Sequence, residues 1–388
     1  MKLSPKYKSS LKRAIHPSKF RLPALLLLVI YCHFSCEKEH VTITSSFYAP
    51  LELDDWDVST PEDQGLDTTD VKEMYQVAAQ MDNLYGLLLI KDGYLVAERY
   101  FNGKSVSTAR PIASITKSYT STLTGIALEK GYLTSLDQTM AEFFPEFDWE
   151  SMDTLKSQIT IRQILKMRSG YPWEEFSDYN DLLWSSFGDW LPLIEEIPLA
   201  YEPGNDYGYS NLMSHILGII VSRAADTSLY DFAKRYLCEP LGVSIPVWWA
   251  DSDGYNYGHG DIHSTARDLA RFGELYLNEG LYKNTQIISS GWIVDALLPY
   301  SFDLYGREIF DHFKQLNMGY MNWFSAVSGN YTVYFSWGHG GQHIFLIPDL
   351  NIIVVTTADY MPGQDGEKAW EKQKSITDMV GKYISRLH

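Results

Sequence analysis

Cysteine is scarce in this chain: three residues in 388, at Cys32, Cys36 and Cys238. That is too few for a disulfide-built fold, so the structure must rest on its core. Positive charge is also short. Lys and Arg number 32 against 49 acids, a formal charge of −17. Residues 1–35 hold seven of those bases and no acid, so the remaining 25 bases leave the rest of the chain at −24. A surface that acidic repels phosphate backbones and anionic membranes, which argues against nucleic acid as a partner and against electrostatic docking on lipid. Internal repeats are absent, and so is any Pro-rich or Ser-rich interdomain linker. The longest apolar run, Leu22–Phe34, has 13 residues. A helix needs roughly 20 to span a bilayer. What remains is ordinary globular composition, 45% hydrophobic and 21% charged, which excludes collagen-like and mainly disordered classes.

The first 21 residues are basic, the short apolar run comes next, and small Ser35 precedes Cys36. Residues 1–35 therefore read as an export signal. The junction resembles a bacterial lipoprotein signal, although His33 stands where that family usually has Leu. The resemblance implies lipid attachment at Cys36, an exported protein of the cell envelope, and membrane contact through that anchor. With Cys36 lipidated, Cys238 in Tyr-Leu-Cys-Glu-Pro has no internal partner and reads as a small buried residue. Residues 36–60 are polar and irregular and suit a tether.

Periodicity divides the remainder. Asp67–Met81 reads as a helix, and Gly86–Ile90 and Tyr94–Tyr100 as strands joined at Lys91-Asp92-Gly93, a hairpin cue. Helical patterns occur next at Ser114–Glu129, Ile161–Met167, Ser210–Arg223 and Ala266–Leu277. The last of these opens on Thr265 with Asp268 three places on, as in a capping box. Strand candidates return at Gly319–Phe324, Thr332–Trp337, His343–Ile347 and Ile352–Thr357, and a helix closes the domain at about Lys368–Arg386. The expected fold is α/β of the α+β kind. One antiparallel sheet is built from both chain ends and flanked by the first and last helices, with an inserted, mainly helical lobe. In residue terms, 61–388 is one domain, with a sheet lobe at about 61–112 and 300–388 and a helical lobe at about 113–299. A cleft between lobes is a usual place for a site.

Three short stretches carry chemical promise. Ser114-Ile115-Thr116-Lys117 puts a hydroxyl and an amine three apart on one helix face, at the positive end of the helix. A serine hydroxyl needs a base, and a buried lysine supplies one when desolvation lowers its pKa. Tyr209-Ser210-Asn211 sits at a loop-to-helix junction, where a phenol can relay protons. Trp337-Gly338-His339-Gly340-Gly341-Gln342 lies at a strand boundary. There, glycines allow close approach and backbone N–H groups can serve an oxyanion. Each stretch also has a plain structural reading: a helix start, a capped core tyrosine, a turn between strands.

Taken together and in order, S-x-x-K, Y-x-N and H-G-G resemble the motifs of serine hydrolases related to class C β-lactamases, D-alanyl-D-alanine carboxypeptidases and β-lactamase-fold esterases. The stretches PIASITKSYTS (111–121), ITIRQILKMRSG (159–170), EPGNDYGYSNLMSHILG (202–218) and HSTARDLARFG (263–273) carry the same resemblance, which runs from about residue 60 to 385. It implies the β-lactamase/transpeptidase-like fold. It also implies Ser114 as acylated nucleophile, Lys117 and Tyr209 as acid and base, and Asn211 orienting Lys117 and the substrate. His339, Gly340 and Gly341 would stand in the place of K-T-G, and the N–H groups of Ser114 and Gln342 would form the oxyanion hole. His339 departs from that motif. A lysine offers a permanent charge for a substrate carboxylate, whereas a free histidine is mostly neutral near pH 7. That weakens recognition of β-lactam or D-Ala carboxylates and leaves esters, amides and small peptides open. A non-catalytic envelope receptor for peptidoglycan fragments is the reading from another class. No cofactor is expected. His259-Gly260-Asp261-Ile262-His263 lacks further ligands at a recognisable spacing and reads as a loop near the cleft, with no metal implied. His343 reads as structural. Trp173, Trp184, Trp190, Trp248, Trp249 and Trp323 can line a pocket but fit core packing better. Oligomeric state is not set by the sequence.

Overall fold

The structure is a computed structural model that describes residues 44–185, 188–304, 309–361 and 366–387. Residues 1–35, where an export signal is expected, and Cys36 lie outside the described residues. The described residues form one compact unit, organised on a seven-stranded antiparallel sheet. Its strands are β1 (Leu84–Lys91), β2 (Tyr94–Tyr100), β3 (Lys314–Met318), β4 (Trp323–Ser328), β5 (Tyr331–Gly338), β6 (Gln342–Ile347) and β7 (Ile352–Ala358). Their spatial order is β2-β1-β7-β6-β5-β4-β3. The join between the two chain ends is the β1–β7 ladder, with Leu87 opposite Thr356 and Ile90 opposite Ile353. Continuous burial of β6 and β7 shows that both sheet faces are covered.

Five helices frame the sheet and the site: α1 (Thr68–Ala78), α2 (Ile115–Glu129), α3 (Asn211–Ala225), α4 (Ala266–Leu277) and α5 (Gly366–Ile384). The first and last of them, α1 and α5, pack together, tied by Lys382 to Glu73 at 2.7 Å and Arg386 to Glu73 at 2.6 Å. α4 lies on the sheet. Gly273 faces Ile344, Leu346 and Ile353 so closely that a Cβ there would sit 2.7 Å from Ile344. This helix falls inside the stretch expected to form the helical lobe, yet its apolar stripe of Leu269, Phe272 and Tyr276 belongs to the sheet core. Periodicity identifies the helix and its buried face but not the surface that covers it.

Two other expectations change. The strand expected at Gly319–Phe324 exists only in its last two residues: Gly319–Asn322 is the connection between β3 and β4, where Met321 takes a left-handed φ of 56°. The second change concerns the expected tether at 36–60, whose described part docks along β2. Val58 bridges Leu95, the Glu98 N–H donates to the Tyr48 carbonyl at 2.8 Å, and the Leu95 N–H to the Asp57 carbonyl at 2.9 Å. Tyr48 and Trp56 are buried. An exposed sheet edge is thereby covered.

The clasp that holds this segment is Arg267, on α4. Its guanidinium donates to both Glu98 oxygens at 2.8 and 2.6 Å and to the Leu51 carbonyl at 2.7 Å, and it pairs with Asp55. Arg267 and Glu98 side chains are 3% and 1% exposed. Removing one member of such a pair strands the other charge in the interior, at about 3–5 kcal/mol. Arg267→Ala is expected to lose that much in urea denaturation and to expose the 44–60 segment to limited proteolysis. A loss under about 1 kcal/mol would show that the clasp does not hold the fold.

Candidate active site

Helix α2 starts after Ala113, a non-glycine residue at φ +49°. That conformation is costly for an L side chain and is common at functional turns. Ser114 comes next as the residue that opens the helix, a position where serine normally caps. Here its hydroxyl makes no capping bond. It accepts instead from Lys117 Nζ at 2.9 Å. The Lys117 amine also donates to the His259 carbonyl at 2.9 Å and lies 4.9 Å from the Tyr209 ring centroid. Lys117 is fully buried. Burial lowers its pKa to about 7, against the opposing pull of Glu175, Glu174 and Asp261. Such an amine is partly neutral near pH 7, and once neutral it can accept the proton of the Ser114 hydroxyl it contacts.

The rest of α2 is a buried shaft whose hydroxyls anchor it to its surroundings. Ser118 meets Ser336 of β5 at 2.8 Å, Thr120 donates to the Gly258 carbonyl at 2.8 Å, and Thr122 meets Tyr276 of α4 at 2.8 Å. Behind Lys117, Trp190 stacks on His259 with ring centroids 4.3 Å apart. The Gly258 N–H donates to His215 Nδ1, so Nε2 carries the proton that meets Asp251 at 2.9 Å. These contacts fix the backbone turn that presents the His259 carbonyl. The His259–His263 segment thus serves through its main chain. Among the described residues no group of three or more metal-ligating side chains occurs.

Tyr209, Ser210 and Asn211 enter α3 over a buried carboxylate. Glu174 accepts from Ser210 Oγ at 2.5 Å, Asn211 N at 3.0 Å and Leu212 N at 3.3 Å, at the positive end of the helix. Burial pushes its carboxyl up to about 7 despite those donors. Asn211 does not hold Lys117 as the motif implied. Its side-chain amide donates to Glu175 at 3.1 Å, and the hydrogen bonds of Lys117 go to Ser114 and His259. The Tyr209 hydroxyl donates to Asn322 Oδ1 at 3.3 Å. The Asn322 amide in turn donates to the Trp337 carbonyl at 2.7 Å and Ser336 Oγ at 3.2 Å. Asn322, Glu174 and the His259 carbonyl carry much of the geometry. His259 was visible in the sequence as part of a loop near the cleft, but Asn322 and Glu174 were not, because their bonds to Tyr209 and Ser210 cross 113 and 36 residues of chain. The signal available for Glu174 was its place in a polar pair beside Trp173.

The glycine turn after β5 corrects the motif reading. Gly340 has φ +88° and Gly341 +104°. Gly340 N–H donates to Gln373 of α5 at 2.7 Å, and Gly341 packs against Ile376. Gln342 already belongs to β6. It is fully buried and pairs with Gly338. Its side chain donates to the Ala358 carbonyl at 2.7 Å and accepts from the Ala358 N–H at 3.0 Å. It lies outside the cavity, as do Gly340 and Gly341. The tight reversal at 339–341 hands the chain to the neighbouring strand, away from Ser114. The wall of the cavity is formed by Trp337 and His339. Among the described residues, neither the Ser114 nor the His339 backbone N–H meets a protein acceptor. His343 sits between Thr356 at 3.0 Å and Thr377 at 3.1 Å, and burial drops its pKa to about 3. It is a neutral structural residue.

The cavity holds about 500 Å³ and opens over Ser114. Trp173, Tyr209, Phe324, Trp337 and Trp370 line it, with His339, Asn322, Gln373 and Glu175 as its polar groups. Of the tryptophans singled out in the sequence, Trp173 faces this space. Trp190, Trp248 and Trp323 are buried in the core and Trp249 is exposed. The side chain of Trp184 lies outside those described. Cys238 is buried, and burial pushes its thiol up to about 12, consistent with an inert residue.

Comparison with known proteins places this geometry in context. The family model described as Beta-lactamase matches residues 77–378. "Beta-lactamase-like protein 2" of Dictyostelium discoideum is 27% identical over 232 residues, covering 51% of this chain and 40% of that protein. The "6-aminohexanoate-dimer hydrolase" of Paenarthrobacter ureafaciens is 24% identical over 226 residues, covering 54% and 56%. The chain thus spans about half the length of these relatives. Among solved structures, "EstCE1, a hydrolase with promiscuous acyltransferase activity" superposes with a TM-score of 0.61 at 16% identity, covering 79% of this chain and 97% of that one. It shares the fold.

The desolvated amine leaves a thermodynamic signature. Lys117 binds its proton less tightly folded than unfolded, where the pKa is about 10.4. Stability tied to this group therefore rises as pH climbs from about 7 toward 10.4, at no more than about 1.4 kcal/mol per unit. Wild type is expected to gain stability relative to Lys117→Met between pH 6.5 and pH 9.5 in urea titrations. A constant difference, or one of opposite slope, would mean the amine is not desolvated.

Proposed function

The chain belongs to the beta-lactamase family, and from that premise we propose that it is a serine hydrolase acting through an acyl-enzyme on an ester, amide or short peptide. The observation that carries the reading is the 2.9 Å contact between Ser114 Oγ and a buried Lys117 whose pKa is lowered to about 7, at the floor of an apolar cavity. Neutral Lys117 takes the Ser114 proton as Oγ bonds to the substrate carbonyl carbon. The carbonyl oxygen becomes an oxyanion, received by the free N–H groups of Ser114 and His339. His339 takes the part that the motif had implied for Gln342. Collapse breaks the bond to the leaving group, which receives the proton from Lys117 by way of Tyr209. Water then attacks the acyl carbon, gives its proton to the same pair, and releases the acid with Ser114 restored.

The relatives support hydrolysis of small substrates. The interactions of Tyr209 support a relay role, since its ring faces Lys117 and its hydroxyl is held by Asn322. Upstream, we read Cys36 as a lipid attachment site that tethers an exported enzyme to the envelope. Intact mass of the native protein should show a diacylglyceryl-bearing chain starting at Cys36, and an unmodified cysteine there would reject the anchor.

Fluorophosphonate labelling and turnover of a p-nitrophenyl ester test the chemistry. Wild type should be labelled at Ser114, and Ser114→Ala should lose both label and turnover while keeping its thermal transition. Tyr209→Phe should lower turnover by about 10²–10⁴, the usual range for a proton-transfer group. Single-turnover acylation should rise with pH through about 7 as Lys117 gives up its proton. Full activity in folded Ser114→Ala would end the proposal, and tight ligand binding without adduct or turnover would instead indicate a receptor.

A further inference from the structure

The charge pattern of the cavity identifies what it selects. Among the described residues lining it, Glu175 is the one acidic side chain, and Lys and Arg are absent. Lys117 lies beneath the floor, engaged by Ser114 and the His259 carbonyl. The Glu175 carboxylate is exposed but held in place. One oxygen accepts from the Asn211 amide at 3.1 Å and the other from Trp173 Nε1 at 3.4 Å. Each carboxylate oxygen has a second lone-pair direction, so the group remains able to receive a donor from the cavity. Beside it, the Trp173 and Tyr209 rings meet at 5.2 Å and 46°, forming an aromatic corner whose faces attract cations. Outside the first 35 residues the chain stands at −24, a field that concentrates cations and repels anions near the mouth.

We propose that this site selects acyl donors bearing an ammonium group and disfavours those bearing a carboxylate, with Glu175 as the specificity-determining residue. The inference rests on the acyl-enzyme reading above and names the substrate class of that same site. A carboxylate-bearing substrate would meet like charge at Glu175, with no Lys or Arg among the described lining residues to offset it. An ammonium gains a charge-assisted hydrogen bond and the aromatic faces together. The apolar remainder of the wall, with Phe324, Trp337 and Trp370, suits a hydrophobic body between the charge and the scissile carbonyl.

Three matched p-nitrophenyl esters provide the test: 4-(aminomethyl)benzoate, 4-ethylbenzoate and 4-(carboxymethyl)benzoate. In wild type, kcat/KM should fall in that order, with at least about tenfold between the ammonium and carboxylate esters, the scale of one charged hydrogen bond. In Glu175→Gln, which keeps an acceptor for Asn211, the ammonium-to-neutral ratio should fall toward one. Binding without chemistry separates the two readings. By NMR titration, benzylammonium should bind more tightly than phenylacetate, and Glu175→Gln should weaken benzylammonium about tenfold. Equal handling of the three esters, a preference for the carboxylate, or a wild-type ratio in Glu175→Gln would overturn the proposal. Failure of all three esters, with benzylammonium still preferred, would overturn the acyl-transfer reading and uphold the charge selection.

Discussion

The site depends on an amine kept out of water. Lys117 has no solvent exposure, and its two hydrogen bonds go to a serine hydroxyl and a backbone carbonyl. Desolvation outweighs three nearby carboxylates and lowers the pKa to about 7. In water the same amine would be protonated and useless as a base near neutrality. Every element around it serves to keep that environment dry and the Ser114 contact short.

That requirement explains the build of the molecule. A helix so rich in hydroxyls would ordinarily be a surface helix. In α2 they are buried, and Ser118, Thr120 and Thr122 tie it to β5, the Gly258 loop and α4. The helix cannot rotate without breaking several buried hydrogen bonds, each costly to leave unmade. Ser114 therefore keeps its orientation, and the strain at Ala113 is held by the surrounding packing. The sheet adds the opposite wall through Trp337 and His339, and Glu174 pins the start of α3 so that Tyr209 meets the amine from the third side.

The cavity also limits what chemistry is suitable. Its wall is largely aromatic, and its acidic group, Glu175, acts on the buried lysine through charge without a hydrogen bond to it. A member of this family with lysine in the place of His339 would present a cation toward the substrate. Here the described lining residues include no Lys or Arg, and their acidic member is Glu175. The relatives are named for different reactions, so fold alone does not choose between them. Selection among substrates is a matter of side chains at the mouth.

Much of the architecture was legible in the linear chain. The period of 3.6 identified α2, α3 and α4, the period of 2 and the Asp-Gly turn identified the first hairpin, and S-x-x-K announced the Ser114–Lys117 pair because three residues on a helix are always neighbours. These are local relations, set by backbone geometry, and a sequence carries them intact. The sequence could not say that α4 covers the sheet, that residues 48–59 close its edge, or that the chain turns away from the cavity at Gly340. Nor could it show that Asn322 holds the Tyr209 hydroxyl, that Glu174 pins Ser210 and Asn211, or that the His259 carbonyl receives Lys117. Those relations join residues far apart in the chain, and their energies arise only once packing has removed the water between them.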